Sequence, residues 1–227
     1  MDYVAHRGYA EEFPENTLRA FRGAADSADW IEFDVRRCES GELVVFHDGT
    51  LERVTGTERA VGCTPWSTLR TLAVLGSGET IPKLADALDA IPPEVGVQIE
   101  LKELGTAADI IDALEDHDNP AILISFSPIA LQEARDVDSD VALGYVLHDG
   151  VYGDAPELGI DTAAQLGCEA VHMYYATGTD PDTVAYAHDC ELTVQTAVPD
   201  EGPTERVLET CRDVGVDRLS TDERPDR

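Results

Sequence analysis

A chain of 227 residues with 43% hydrophobic side chains carries enough apolar surface for a substantial core, at a length that α/β barrels commonly occupy as one unit. Its 46 acidic against 16 basic residues give a net charge of −30, which excludes nucleic acid as a partner because phosphates are repelled. No apolar run approaches the ~20 residues needed to span a bilayer, which excludes stable membrane insertion as a helix.

The first apolar run, Tyr3 to Ala5, leads into His6-Arg7-Gly8. Phe13-Pro14-Glu15-Asn16-Thr17 then precedes Leu18, Ala20, Phe21, Ala24 and Ala25 at helical spacing, giving strand, loop, helix. Asn16 is the expected N-cap; on capping preferences alone, the PENT string can be read as helix punctuation. Ile31, Phe33 and Val35 alternate with Glu32, Asp34 and Arg36, so a strand here puts apolar residues on one face and charged ones on the other. A short strand, Leu43 to Phe46, ends in His47-Asp48-Gly49. Asp48 to Thr80 is expected to be an excursion over the barrel mouth, containing a short helix capped by Thr64 with Pro65 at its first position. After the helix Ala85 to Ile91, residues 96–102 repeat the alternation, with Gln98, Glu100 and Lys102 opposite Val97, Ile99 and Leu101.

The remainder alternates regularly. Helix Ala107 to His117, strand Ala121 to Phe126, helix Ile129 to Val137 and strand Ala142 to His148 are followed by helix Thr162 to Leu166 and strand Ala170 to Tyr174. Helix Asp182 to Cys190, strand Leu192 to Val198, helix Glu205 to Val214 and strand Arg218 to Thr221 complete the chain. Eight principal strands separated by helices predict an α/β protein with a parallel sheet, closed as a (β/α)8 TIM barrel and forming one domain over 1–227. An open doubly wound sheet is the alternative, but no G-x-G-x-x-G or G-x-x-x-x-G-K-[ST] loop follows any strand.

Glu32, Asp34 and Glu100 would converge inside such a barrel, where carboxylates repel one another unless a hard cation such as Mg²⁺ or Ca²⁺ joins them. The competing reading is an ion-pair network with Arg36 and Lys102. His6 and His47 are placed for proton transfer near neutrality, one as acid and the other as base. His117, His148, His172 and His188 are read as structural by default, although His148 and His172 lie at or near late strands. Arg7 and Lys102 supply charge for a phosphate. By strand parity Arg7 faces away from His6 unless the strand has already ended, a turn that Gly8 eases. Metal, two histidines and two cations together describe phosphodiester chemistry better than acyl transfer.

Lys83 and Lys102 are the only lysines, and acidic excess with lysine scarcity points to a halophilic protein, since molar salt shortens the Debye length to ~3 Å. Five cysteines without a C-x-x-C pair suit reduced thiols, and the start has no basic segment followed by a long apolar core, so a cytoplasmic location is expected.

These residues fall into a pattern that resembles the glycerophosphodiester phosphodiesterases. HRG at His6 to Gly8, PENT at Pro14 to Thr17, E-x-D at Glu32 to Asp34 and HD at His47-Asp48 come first. T-L-x-R-x-T-G at Thr50 to Gly56, I-P-x-L at Ile81 to Leu84, E-L-K at Glu100 to Lys102 and G-V-D-x-x-x-T-D at Gly215 to Asp222 follow in order. The resemblance implies a TIM barrel of the phospholipase-C-like phosphodiesterase type that hydrolyses small glycerophosphodiesters to glycerol 3-phosphate and an alcohol. It implies Glu32, Asp34 and Glu100 as ligands of one Mg²⁺ or Ca²⁺, His6 and His47 as the acid/base pair, and Arg7 and Lys102 on the phosphate. It also implies the glycerol 2-hydroxyl as an internal nucleophile, giving a cyclic phosphate that water opens. Where many members carry tryptophan in a W-T-V-N string, this chain has Gln195 within Val194 to Val198, so an aromatic wall is expected to be missing. The excursion after His47 is too short for the domain inserted in some bacterial relatives. A lysophospholipase D-like activity, marked by an apolar groove, and a non-catalytic phosphodiester- or metal-binding barrel are the alternatives. Sphingomyelinase D relatives share similar histidines but are secreted and disulfide-bonded.

Overall fold

Strand pairing follows the predicted alternation closely enough to close a barrel. The structure, a computed structural model, describes residues 1–199 and 202–225. Its strands are β1 (Asp2–His6), β2 (Trp30–Arg37), β3 (Leu43–Val45), β4 (Gly96–Leu101) and β5 (Ala121–Ser125), then β6 (Leu143–Val146), β7 (Ala170–Met173), β8 (Thr193–Ala197) and β9 (Arg218–Thr221). All pair in parallel except β3, which runs antiparallel along β2, and β1 pairs with both β2 and β9. This is the eight-stranded TIM barrel, with β3 as an appendage.

Side-chain direction sorts the core. Outward residues such as Ile31, Phe33, Val97, Ile99 and Val171 pack under the helices in the main apolar cluster, while inward Ile122, Ile124 and Ala170 form a smaller cluster against Trp30, Ala142 and Val146. The barrel interior is therefore apolar on one arc and ionisable on the other. Register makes the ionisable arc: His6 stands beside Glu32, Glu32 beside Gln98, and Asp34 beside Glu100.

Several helix starts are fixed by side-chain caps. Thr17, Ser127, Asp180 and Thr204 each accept from a backbone N–H three residues on, which satisfies one of the otherwise unpaired donors of a first turn. Pro128 and Pro181 occupy the first positions of their helices, where a missing N–H costs nothing. Two cap expectations are corrected. Thr17 rather than Asn16 caps the helix Leu18–Ala24, because Asn16 takes φ +57 and its amide turns into the barrel. Thr64 caps nothing; its hydroxyl donates to Ala60 O, and Pro65 stands at the N-cap of Trp66–Leu69 without a side-chain bond. The helix expected from Thr162 begins earlier, at Pro156, and runs to Gln165, its start obscured in sequence by Gly159.

The excursion between β3 and the helix Leu84–Ala90 is built on its own small core, in which Phe46, Leu51, Val54, Leu69 and Ile81 are buried together. It carries no extended sheet. No helix among the described residues is long and apolar enough to cross a membrane.

Candidate active site

Glu32 and Asp34 leave β2 on its inner face and Glu100 leaves β4 beside them, with one oxygen from each within 4.8 Å of the others. All three are buried. Burial, and then the neighbouring Asp34 charge, push the Glu32 carboxyl up to about 8 and that of Glu100 to about 7. Asp34 itself is held below the ordinary carboxylate range, since Arg7, Lys102, His47 and the Asn16 amide together outweigh its burial. Asp34 Oδ1 has no hydrogen bond, and Lys102 Nζ lies 3.5 Å from it and 2.8 Å from Glu100 Oε1. A trio of buried oxygens under mutual repulsion, one of them unsatisfied, fits a hard divalent cation.

The competing ion-pair reading is only half met. Lys102 reaches the trio, but Arg36 donates instead to His47 O at 2.9 Å and pairs with Glu103 at 3.6 Å. Arg7 takes its place, with Nε 3.3 Å from Asp34 Oδ2.

Each of the two histidines has a carboxylate behind it. His6 Nδ1 is 2.7 Å from Asp222 Oδ1, and His47 Nδ1 is 2.6 Å from Asp48 Oδ1. An ionised carboxylate only accepts, so Nδ1 carries the proton in both rings and Nε2 is left to exchange one. The two environments differ. Burial disfavours charge on His6, yet the Asp222 hydrogen bond and Glu32 raise its pKa above the usual value; burial dominates at His47 and lowers it.

β1 ends at His6, and Arg7, Gly8 and Tyr9 all have positive φ. That turn brings Arg7 back toward the site despite strand parity. At Gly8 a Cβ would stand 2.7 Å from Ala20 Cβ, in addition to the φ of +79°, so only glycine fits. The PENT string is more than punctuation: Asn16 Nδ2 donates to Asp34 Oδ2 at 2.8 Å. Glu15 accepts from Arg7 at 3.2 Å and from both terminal nitrogens of Arg53 at 2.7 Å. Arg53 Nε also donates to Asp48 Oδ2 at 2.6 Å. A continuous polar chain thus runs from His47 through Asp48, Arg53, Glu15 and Arg7 to Asp34.

A cavity of about 300 Å³ opens over this arc, with His6, Arg7, Glu32, His47 and Glu100 on one side and Ile124, Phe126, Val146, Met173 and Tyr174 on the other. Asp34 and Lys102 lie behind its lining. The missing tryptophan is not replaced by space: Gln195 and Gln98 exchange hydrogen bonds at 2.7 and 3.1 Å, and aromatic rings enter from the ends of β5 and β7 instead. Of the other histidines, His148 caps Asp149–Tyr152 and His188 pairs with Asp217. His172 enters the cavity.

The profile of the glycerophosphoryl diester phosphodiesterase family matches residues 6–226. The chain belongs to that family. It is 30% identical over 166 residues to a glycerophosphodiester phosphodiesterase of Caldanaerobacter subterraneus, covering 65% of this chain and 67% of the relative. A Mycobacterium tuberculosis relative is 34% identical over 128 residues, 55% of this chain and 48% of that protein, so the chain spans about half its length. The solved structure of an Oleispira antarctica phosphodiesterase, in complex with the product sn-glycerol-3-phosphate, is 26% identical with a TM-score of 0.85, covering 99% of this chain and 94% of that one. Glu15, Asn16, Arg53 and Asp222 also join the site, and each stands in one of the quoted strings although spacing alone assigns it no role there.

Proposed function

We propose that this protein hydrolyses glycerophosphodiesters to sn-glycerol 3-phosphate and an alcohol, with residues 1–227 acting as one catalytic domain. The observation that carries this reading is that Glu32, Glu100 and two carboxylate-backed histidines line one cavity, with an Asp34 oxygen within 4.8 Å of both glutamates behind them. Glu32, Asp34 and Glu100 would hold one divalent cation, Mg²⁺ or Ca²⁺, through hard oxygen donors. When bound, such an ion lowers the pKa of a hydroxyl and offsets charge on phosphoryl oxygens.

His6 and His47 form the acid/base pair. One Nε2 takes the proton of the glycerol 2-hydroxyl as its oxygen attacks phosphorus, and the other gives a proton to the alcohol oxygen as its bond to phosphorus breaks. The resulting cyclic phosphate is opened by water with the two roles exchanged. Asp48 and Asp222 hold the rings in the tautomer this requires. Arg7, on the cavity wall, carries positive charge that faces the phosphate, and Lys102, paired with Asp34 and Glu100 behind the lining, adds to the positive field there. At about 300 Å³ the cavity is at the small end of ligand pockets, which favours a small alcohol over a long acyl chain. Five free cysteines suit a reducing compartment, supporting a cytoplasmic site of action.

The test is release of glycerol 3-phosphate from glycerophosphocholine in high salt, with EDTA and then with Mg²⁺ or Ca²⁺ restored. Metal-dependent release is expected. No release under either cation, with cleavage of a lysophospholipid instead, would replace this reading by the lipid one.

A further inference from the structure

Ser220 is a polar group on the cavity wall that the mechanism above does not use. It lies on β9, is 9% exposed and lines the cavity. Alternation sets it on the inner face, since Leu219 before it packs outward with Val207 and Leu208. Its Oγ makes no hydrogen bond among the described residues, and it is not sealed away from the cavity as His172 Nε2 is. The other hydroxyls of the lining are engaged or lie outside: Thr196 Oγ1 donates to Met173 O at 3.1 Å, and Tyr174 stands at the mouth, 44% exposed. Register gives Ser220 its depth. It sits beside Val4 on β1 and Ala197 on β8, one inward-facing step toward the floor from Asp222, which anchors His6. Glu32 is level with His6, whereas Asp34 and Arg7 follow them in sequence and lie toward the mouth. A hydroxyl at this depth has given up most of its water, which costs free energy unless a partner replaces it.

We propose that Ser220 is a specificity-determining residue whose Oγ hydrogen-bonds an alcohol hydroxyl of the bound phosphodiester. The phosphoryl group belongs with Arg7 and the carboxylate trio, at the level of His6 or nearer the mouth, so what reaches Ser220 is an alcohol arm. A serine hydroxyl both donates and accepts, and so does the hydroxyl it would meet. It offers a cationic head no charge and a methyl group no bond. Two hydroxyls share this chemistry: the terminal one of the glycerol that keeps the phosphate, and one carried by the departing alcohol. Because Ser220 and Asp222 follow one another on the inner face of the same chain segment, the contact fixes that arm relative to the ring of His6. It selects and positions without part in proton transfer. The inference rests on the phosphodiesterase reading above.

The test makes two comparisons in the unmodified chain and in Ser220→Ala. The first is calorimetric binding of glycerol 3-phosphate against 2-hydroxypropyl phosphate, which lacks the terminal hydroxyl, to the Mg²⁺-saturated protein. The second is kcat/KM for glycerophosphoglycerol against the diester whose departing alcohol is 1-propanol, which carries no hydroxyl. Sites built to bond a hydroxyl reject the analogue that lacks it. At least one comparison should favour the hydroxyl-bearing ligand by about tenfold, the value of one hydrogen bond whose loss leaves its partner unpaired. That ratio should collapse in Ser220→Ala, and the comparison in which it does so names the arm. No preference in either comparison, or one that survives Ser220→Ala, overturns the inference and leaves the phosphodiesterase reading standing. Equal weakening of both ligands of each pair in Ser220→Ala makes the residue a structural or phosphate contact and overturns the inference likewise. Absence of release from every diester overturns the phosphodiesterase reading and this inference with it.

Discussion

In the proposed mechanism His47 separates catalysis from metal binding at the level of a single residue, because its ring is held by Asp48 and does not belong to the carboxylate trio. His47→Ala should lower kcat by about 10² to 10⁴, the usual worth of a positioned acid or base, while calorimetric metal affinity stays within a few-fold. A near-normal rate would remove His47 from the mechanism. The trio makes the opposite kind of prediction. Glu32 and Glu100 titrate near 8 and 7, so at neutral pH an entering cation must displace protons, and binding weakens as pH falls through this range. Calorimetry at pH 8.5 and 6 should find the weaker affinity at pH 6, by about tenfold per pH unit for each proton displaced. Equal affinities would mean that these carboxylates do not take up the ion. Alternation made Glu32, Asp34 and Glu100 legible in sequence, since E-x-D on a strand fixes a face. The partner of His6 was not legible: Asp222 lies 216 positions away, and only barrel closure brings it there. Nor could spacing show that His172 Nε2 is buried without a hydrogen bond, a property of everything around it.

Among the elements, the loop after β1 and the excursion after β3 are tied by one side chain. Arg53 presents its planar fork to Glu15 and its Nε to Asp48, linking the orientation of His47 to that of Arg7. Arg53→Ala should lower kcat by about tenfold, as expected when catalytic groups are displaced by a fraction of an ångström, with metal affinity little changed. Arg53→Lys should not restore the rate, because a single ammonium cannot replace a bidentate fork. Steady-state kinetics of both variants decide this; full activity in Arg53→Lys would reduce the residue to a point charge. Most helices were legible from apolar spacing and their caps, and the helix Glu205–Val214 has the bounds its pattern predicts. The PENT loop was misread because φ +57 at Asn16 moves the cap to Thr17 and frees the amide for Asp34. Capping preferences describe a residue type; they do not reveal a left-handed turn imposed by a neighbouring site.

For the molecule as a whole, a net charge of −30 sets strong self-repulsion against the fold. Salt screens it. The midpoint of thermal unfolding should rise between 0.1 and 2 M KCl by at least about 4 °C, equivalent to roughly 1–2 kcal/mol in a chain of this size. A flat or falling midpoint would detach the acidic surface from salt adaptation. The barrel itself was legible because eight apolar runs alternate with helical ones, whereas its seam, β1 against β9, is a pairing across nearly the whole length. During synthesis, the carboxylate trio emerges from the ribosome in the first half of the chain, at Glu32, Asp34 and Glu100. The ring of His6 gains its Asp222 anchor only when the last strand has been made and docked. A chain that has not yet made β9 thus holds its first histidine unaimed even when Glu32, Asp34 and Glu100 are all present.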